Sequence, residues 1–295
     1  MDDREFDDAL GALRADRRHG AAELARRALA ILQMSAENSP AVDPDAFRAM
    51  TAARVRALMA ARPSMAAIGN LLAEWTGFLD EAPVHGLEAL RAAAAECASN
   101  LIAQSREASV QVADHAARLI GTGKTVLTHS RSSTVLLTCD RLKDADLRMI
   151  ITESQPLNEG HAVAAQLSDW GVPATLITEA QIGLAMANAD LALVGADTVR
   201  ADGSVINKAG TSLVAYAARQ HGKPFYVCCE SFKRAAQDAP PPELEEMEPA
   251  ELGAPGWPGV TVHNTYFDIT PPSLVTAWIT EGGVFTEFPL GSPRV

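Results

Sequence analysis

A carboxylate, an amide and an ammonium group stand close together in the stretch ADLALVGADTVRADGSVINKAGTSLVAYA, residues 189–217, as Asp197, Asn207 and Lys208. The apolar run at 191–194 ends in Gly195, Ala196 and Asp197, which predicts a buried parallel strand delivering Asp197 at its C-terminal end. A turn at Asp202-Gly203 follows. The spacing then predicts that Asn207, Lys208, Ala209, Gly210 and Thr211 open an alanine-rich helix. Acid, cation, amide and helix-start N–H groups around one crevice suit an anionic, hydroxyl-rich ligand such as a sugar phosphate. A turn-capping Asp197 and a solvated Lys208 would leave the same trace.

Residues of similar type stand at other expected strand ends: Thr128-His129-Ser130-Arg131-Ser132-Ser133, Glu153-Ser154-Gln155-Pro156 and Glu230-Ser231-Phe232-Lys233. The first is a hydroxyl-rich turn entering a helix. It can receive a phosphate through its N–H and O–H groups, with Arg131 beside them, or simply cap the helix. Nearer the N-terminus, Gly20 and Ala21 follow Arg18 and His19 at a helix start, where their amides could face an anion. Arg62 precedes Pro63, a residue that fixes another helix start. The order of serines, histidines and acids defines no hydrolase triad. Gly121-Thr122-Gly123-Lys124 precedes its strand and lacks the full phosphate-loop pattern, so it reads as a turn.

The elements that must hold these residues fall into two grammars. Residues 1–120 carry helical patterns only, at 7–13, 21–34, 44–61, 66–79 and a long alanine-rich run at 84–119, with Pro40, Pro44, Pro63 and Pro83 as punctuation. Residues 121–295 alternate. Strands are expected at 125–128, 147–151, 174–177, 191–194 and 224–229, and helices at 132–142, after the loop ESQPLNEG to Trp170, at 179–187 and at 210–220. The fold class expected is therefore α/β, an N-terminal all-helical domain (1–120) followed by a C-terminal Rossmann-like parallel-sheet domain (121–295). The proline- and acid-rich residues 238–259 read as a surface excursion. Pro271-Pro272 reads as a helix start, and the aromatic–aliphatic finish as either a docking surface or core.

Composition limits the partners. Of 295 residues, 37 are acidic and 25 basic, a net charge of −12 that disfavours nucleic acid and anionic membrane. Cys97, Cys139, Cys228 and Cys229 show no zinc-ligand spacing and read as reduced residues of a cytoplasmic protein. The first twenty residues are too acidic and polar for a secretory signal, and no apolar run is long enough to span a bilayer.

The combination GADTVRADGSVINKAGTSLVAYAARQHGKPFYVCCESFK with FDITPPSLVTAWITEGGVF resembles the translation initiation factor two-B alpha/beta/delta family, over residues 20–285. That family includes ribose-1,5-bisphosphate isomerase and methylthioribose-1-phosphate isomerase. The resemblance implies a helical domain, a Rossmann-like domain, a ligand site between them, no cofactor or metal, and a homodimer or higher homo-oligomer. It places the isomerase acid/base on Asp197 and substrate contacts on Asn207 and Lys208. Phosphate contacts fall on Lys233, Gly20, Ala21 and Arg62.

Three positions depart from the family pattern. Ser130 stands where the isomerases carry a cysteine, and a hydroxyl needs an activating base to exchange a proton near neutral pH. Gln155 stands where the family has arginine, which removes a bidentate phosphate partner. His19 replaces the first arginine of the Arg-Gly-Ala turn, with Arg18 just before it. The expected activity is a sugar-phosphate aldose–ketose isomerase, with Ser130 positioning an oxygen. The alternative is a non-catalytic subunit, similar to the alpha subunit of the initiation factor, that binds a sugar phosphate as a regulatory ligand.

Overall fold

The computed structural model describes all residues except 83–85, 238, 240–243, 255 and 290–295. It divides into two compact units, Met1–Glu107 and Ala108–Val295. The first unit is helical: α1 (Asp3–Ala15), α2 (Ala21–Glu37), α3 (Pro44–Met59), α4 (Ala66–Glu81) and the start of α5 (Leu87–Ile120). Helix α1 begins four residues before the expected start because Asp2 and Glu5 form a reciprocal capping box. Asp43 caps α3 and Pro44 occupies its first turn, so the helix starts at residue 44 as expected. Helices α2 and α4 pack together. Leu24, Leu29 and Leu32 of α2 are fully buried, as are Ile68, Leu72 and Trp75 of α4. Each such side chain contributes about 1.5–3 kcal/mol. The expected start of the long helix at residue 84 lies outside the described residues.

The second unit carries β1 (Thr125–Thr128), α6 (Ser133–Leu142), β2 (Arg148–Thr152), α7 (Glu159–Asp169), β3 (Ala174–Ile177), α8 (Ile182–Met186) and β4 (Leu191–Val194). There follow β5 (Thr198–Val199), β6 (Val205–Lys208), α9 (Thr211–Gln220), β7 (Phe225–Cys228), β8 (Phe267–Thr270), β9 (Ala277–Thr280) and β10 (Gly283–Phe285). Seven strands form one sheet in the order β10-β9-β7-β4-β1-β2-β3, parallel except for β10. Successive residues point to opposite faces, so each central strand serves two cores. Leu127, Ala192, Val194, Phe225 and Val227 pack in one core with Val214, Ala215 and Ala218 of α9. Val126, Met149, Leu191 and Leu193 pack in the other with Val135 and Cys139 of α6 and Val163 and Leu167 of α7. This is why these strands read as unbroken apolar runs.

Two expectations fail here. Asn207 and Lys208 do not open a helix. They end β6, which lies between β5 and β8 in a small antiparallel sheet, with Asn207 opposite Asp268 and Lys208 opposite Phe267. Helix α9 begins only at Thr211. Nor do Pro271 and Pro272 open an α-helix. They lead one 3-10 turn, Pro272–Leu274, before β9 joins β7 in parallel. Trp278 is buried in the core against Phe288, so that part of the C-terminal finish is core. In the 238–259 excursion the described residues include an exposed 3-10 turn, Pro249–Leu252. Among the described residues, no helix is long and apolar enough to cross a membrane.

Candidate functional site

Strands β1 and β4 are neighbours, yet the chain leaves β1 toward β2 and β3 on one side and leaves β4 toward β7 and β9 on the other. The two loops that follow β1 and β4 therefore flank the point where the winding reverses, the usual ligand position in such sheets. They approach closely: a Cβ on Gly195 would lie 2.6 Å from the Ser132 hydroxyl oxygen. Ser132 itself caps α6 by accepting from the Val135 N–H, so capping accounts for part of this hydroxyl-rich turn.

Ser130 adopts φ 64°, a left-handed conformation unusual outside glycine. The turn is held because the Ser130 N–H donates to Ser154 Oγ at 2.8 Å. The Ser130 hydroxyl donates to Glu159 Oε2 at 2.6 Å. The other oxygen of that carboxylate, Oε1, lies 3.1 Å from Lys208 Nζ. Lys208 also stands 4.1 Å from the centre of the Tyr266 ring, a cation–π contact. Fold topology thus joins the first residue of α7, the last of β6 and the turn after β1.

Below this cluster, His129 is almost fully buried, with Nδ1 2.7 Å from Thr152 Oγ1 and Nε2 2.9 Å from the Ala209 carbonyl. A carbonyl can only accept, so Nε2 carries the proton and Nδ1 accepts from the threonine hydroxyl. Burial holds the His129 pKa below the ordinary histidine value, against the opposing pull of the Ala209 carbonyl and of Glu179, Asp268 and Glu159. The ring leaves no room for a side chain at residue 210, where a Cβ would sit 2.8 Å from it and φ is 111°. Glycine is required there. From β8, Asp268 Oδ2 accepts the N–H groups of Gly210 and Ser212 and the Ser212 hydroxyl, capping α9.

Asp197 follows β4, is 9% exposed, and its N–H donates to the Ile206 carbonyl. Asn207 is buried and donates from Nδ2 to Thr211 Oγ1 at 2.9 Å. Lys233 sits in a 3-10 turn after β7, with Nζ 2.7 Å from Glu230 Oε2. The other oxygen of Glu230 accepts the hydroxyls of Ser109 and Thr134. Burial alone would raise the Glu230 pKa, but the Lys233 charge and these hydrogen bonds hold it at about 2. Burial would likewise lower Lys233, but Glu230 foremost, with Asp197 contributing, raises it. Asp197 and Lys233 therefore share one electrostatic neighbourhood. Arg131 is half-buried at the start of the α6 turn, and Gln155 is exposed, reaching Glu153.

In the first unit, Gly20 precedes α2 in extended conformation and Ala21 is buried. Arg62 is also buried and donates to the Asp16 carbonyl at 3.0 Å, which ties it to the turn leading to Gly20. The Asp16 carboxylate organises that turn. It accepts the N–H groups of Arg18 and His19, contacts the His19 ring at 2.8 Å and pairs with Arg27 at 2.9 Å. Desolvation opposes its ionisation, yet the bonds from Arg18 and His19 hold its pKa below the usual value. The sequence gives no site signal at Asp16, Glu159 or Asp268, and shows Glu230 at a strand end without showing its pairing with Lys233. Each reads locally as an ordinary acid near a turn or helix start, and only Glu230, three residues before Lys233, stands at a spacing that permits pairing.

The model of the initiation factor 2 subunit family matches residues 17–287. A ribose 1,5-bisphosphate isomerase of Haloferax volcanii is 33% identical over 279 residues, covering 90% of this chain and 84% of that protein. A putative translation initiation factor eIF-2B subunit 2-like protein of Pyrococcus furiosus is 36% identical over 231 residues, 78% of each chain. Among solved structures, the translation initiation factor eIF-2B of Pyrococcus horikoshii superposes with a TM-score of 0.82 at 30% identity, covering 97% of this chain and 98% of that one. The 5-methylthioribose 1-phosphate isomerase of the same organism gives 0.78 at 25% identity, covering 95% and 83%. With a family match across nearly the whole length and a shared fold, this chain belongs to the initiation factor 2 subunit family.

Proposed function

We propose that the protein is an aldose–ketose isomerase acting on ribose 1,5-bisphosphate or a closely related sugar phosphate. The observation that carries this reading is the set Asp197 after β4, Asn207 and Lys208 at the end of β6 and Lys233 after β7, all in the second unit, with Asp197 and Lys233 acting on each other electrostatically. Relatives named ribose 1,5-bisphosphate isomerase, at 28–33% identity over most of the chain, support it.

The conversion is a redistribution of hydrogen within one molecule. The bond from C1 to the ring oxygen breaks, the hydrogen on C2 moves to C1, and the proton of the C2 hydroxyl balances the one gained by the former ring oxygen. It is redox-neutral overall and needs no external hydride carrier. In this reading Asp197 exchanges the oxygen-bound protons, Ser130 faces the carbon skeleton and Asn207 orients hydroxyls. In the second unit Lys208, Lys233 and Arg131 hold phosphate oxygens, and in the first unit Arg62 and the Gly20 and Ala21 amides are suited to phosphate oxygens. The four cysteines are free and buried, which supports a reducing, cytoplasmic setting. Exposed Leu213 and Tyr216 on α9 favour self-association into a homodimer or larger homo-oligomer, checked by light scattering of the purified chain.

The test is incubation with ribose 1,5-bisphosphate and, separately, 5-methylthioribose 1-phosphate, following ketose formation. Turnover of one is expected, and Asp197→Asn lowers kcat by about 100- to 10,000-fold. Ser130, standing in place of a thiol, favours a second reading as a regulatory subunit of the initiation-factor type. That reading predicts a thermal shift with a sugar phosphate and no turnover.

A further inference from the structure

We infer that Glu159 is the proton acceptor that lets the Ser130 hydroxyl take the place of a thiol in the isomerisation. The inference rests on the isomerase reading. A serine hydroxyl alone holds its proton far too tightly to act as a base near neutral pH, whereas a carboxylate is ionised there. Ser130 has one hydroxyl hydrogen, and it points at Glu159 Oε2 across 2.6 Å. The oxygen's lone pairs are thereby left for another proton. The second carboxylate oxygen is held by Lys208, so Glu159 is fixed from both sides.

The backbone makes this geometry rigid. Gly160, directly after Glu159, lies so close to β2 that a Cβ there would meet the Thr152 carbonyl oxygen at 1.8 Å. The start of α7 is seated on the strand, and the side chain at its first position is aimed from a fixed point. Ser130 is fixed by its left-handed backbone and by the bond from its N–H to Ser154. Both ends of the 2.6 Å contact are built in rather than formed by mobile surface groups.

The step balances. The C2–H bond breaks and its electron pair enters the C1–C2 bond of an enol, while the bond from C1 to the ring oxygen breaks and leaves its pair on that oxygen. The proton lands on Ser130 Oγ as the hydroxyl's own proton crosses to Glu159 Oε2. On the return, Glu159 gives its proton back to Ser130 Oγ, and Ser130 delivers one to C1. Serine and carboxylate end as they began. Glu159 touches no substrate atom and is a positioning residue for Ser130.

The experiment measures kcat and KM for ribose 1,5-bisphosphate in the full-length wild type, Glu159→Gln, Ser130→Cys and the double variant. Glu159→Gln is expected to lower kcat by about 100-fold or more while KM changes less than about 10-fold. In the Ser130→Cys background, where a thiol exchanges protons unaided, adding Glu159→Gln is expected to lower kcat less than about 5-fold. Retention of wild-type kcat by Glu159→Gln overturns the relay and leaves the isomerase reading standing. An equally large loss in both backgrounds overturns it too, because Glu159 would then be supporting structure only. Should Glu159→Gln fail to fold, Ser130→Ala replaces it, and an unchanged kcat overturns the relay. Absence of turnover by wild type and Ser130→Cys alike removes the isomerase reading and the relay with it.

Discussion

The second unit contains two lysine–carboxylate pairs at the ends of its strands, and they are built in opposite ways. Glu230 and Lys233 are three residues apart in one turn, both buried, with Ser109 and Thr134 completing the shell around the carboxylate. Glu159 and Lys208 come from α7 and β6, meet only because the fold brings them together, and keep side-chain exposures of 15% and 8%. The first pair is closed and the second leaves one edge toward solvent and toward Ser130. A buried ion pair is costly to open, and it fixes Lys233 at one position. A pair whose carboxylate is partly open to solvent and also meets the Ser130 hydroxyl can pass a proton or yield its lysine to a phosphate without exposing an uncompensated charge. Local spacing assembles the first pair and the fold assembles the second.

That contrast breaks most visibly on removal of the carboxylates. Glu230→Ala leaves Lys233 charged in a fully buried site and takes an acceptor from two hydroxyls, so it is expected to cost about 3–5 kcal/mol of stability. Urea denaturation measures it, and a loss below about 1 kcal/mol would show that water reaches this turn. The pH course follows from the folded pKa of about 2 against an ordinary glutamate value of 4.5 in the unfolded chain. The contribution of Glu230 is complete above about pH 4.5 and is lost only as pH falls from there toward 2. Lys233, raised above 10.5, holds its share up to that pH and loses it above, as pH passes through its folded value.

Glu159→Gln tests the open pair by the same unfolding measurement. The amide keeps a donor and an acceptor near Ser130, and Lys208 retains solvent contact and the Tyr266 ring. The expected loss is about 1–2 kcal/mol, well under that of the closed pair. Equal losses for the two variants would erase the distinction between the closed pair and the open one.

The same division governs what could be read from sequence. Strands β1 and β4 coincide with the expected apolar runs at 125–128 and 191–194, because strands buried on both faces need apolar side chains at every position. The caps of α1 and α3 are equally local. The misreading at Asn207-Lys208 came from treating polar residues before glycine as a helix start. Val205 and Ile206 are β-branched, and their pairing with β5 and β8 is non-local; β8 lies some sixty residues on, so no window could weigh it. Pro271-Pro272 misled for a related reason: the ring fixes φ for either kind of helix, and Trp278, Ile279 and Thr280 had the aromatic and β-branched character of a strand. Ser130 stood out in the sequence as a candidate site residue, but the carboxylate it meets did not. Glu159 at the first position of a helix is what the helix dipole alone would favour.

The smallest effect concerns the histidine beneath the open pair. His129 holds the Ala209 carbonyl, directly after Lys208, and does so as a neutral ring whose pKa burial pushes below the ordinary histidine value of 6.5. Below about pH 6.5 the unfolded chain binds a proton at this position that the folded chain refuses. Stability therefore falls as pH drops through that value, by at most about 1.4 kcal/mol for each pH unit, and the fall ceases once the folded ring is itself protonated. Above pH 6.5 this group adds no slope. His129→Gln keeps a donor for the Ala209 carbonyl and cannot titrate. Its stability profile between pH 7 and 5.5 should be flatter than that of the wild type, measured as the difference in urea midpoint between the two proteins at each pH. Glu230 remains ionised across that whole window, so any acid loosening removed by this substitution belongs to the strand bearing Lys208. Parallel profiles for the two proteins would mean that His129 keeps its ordinary pKa, and that the open pair tolerates acid as well as the closed one does.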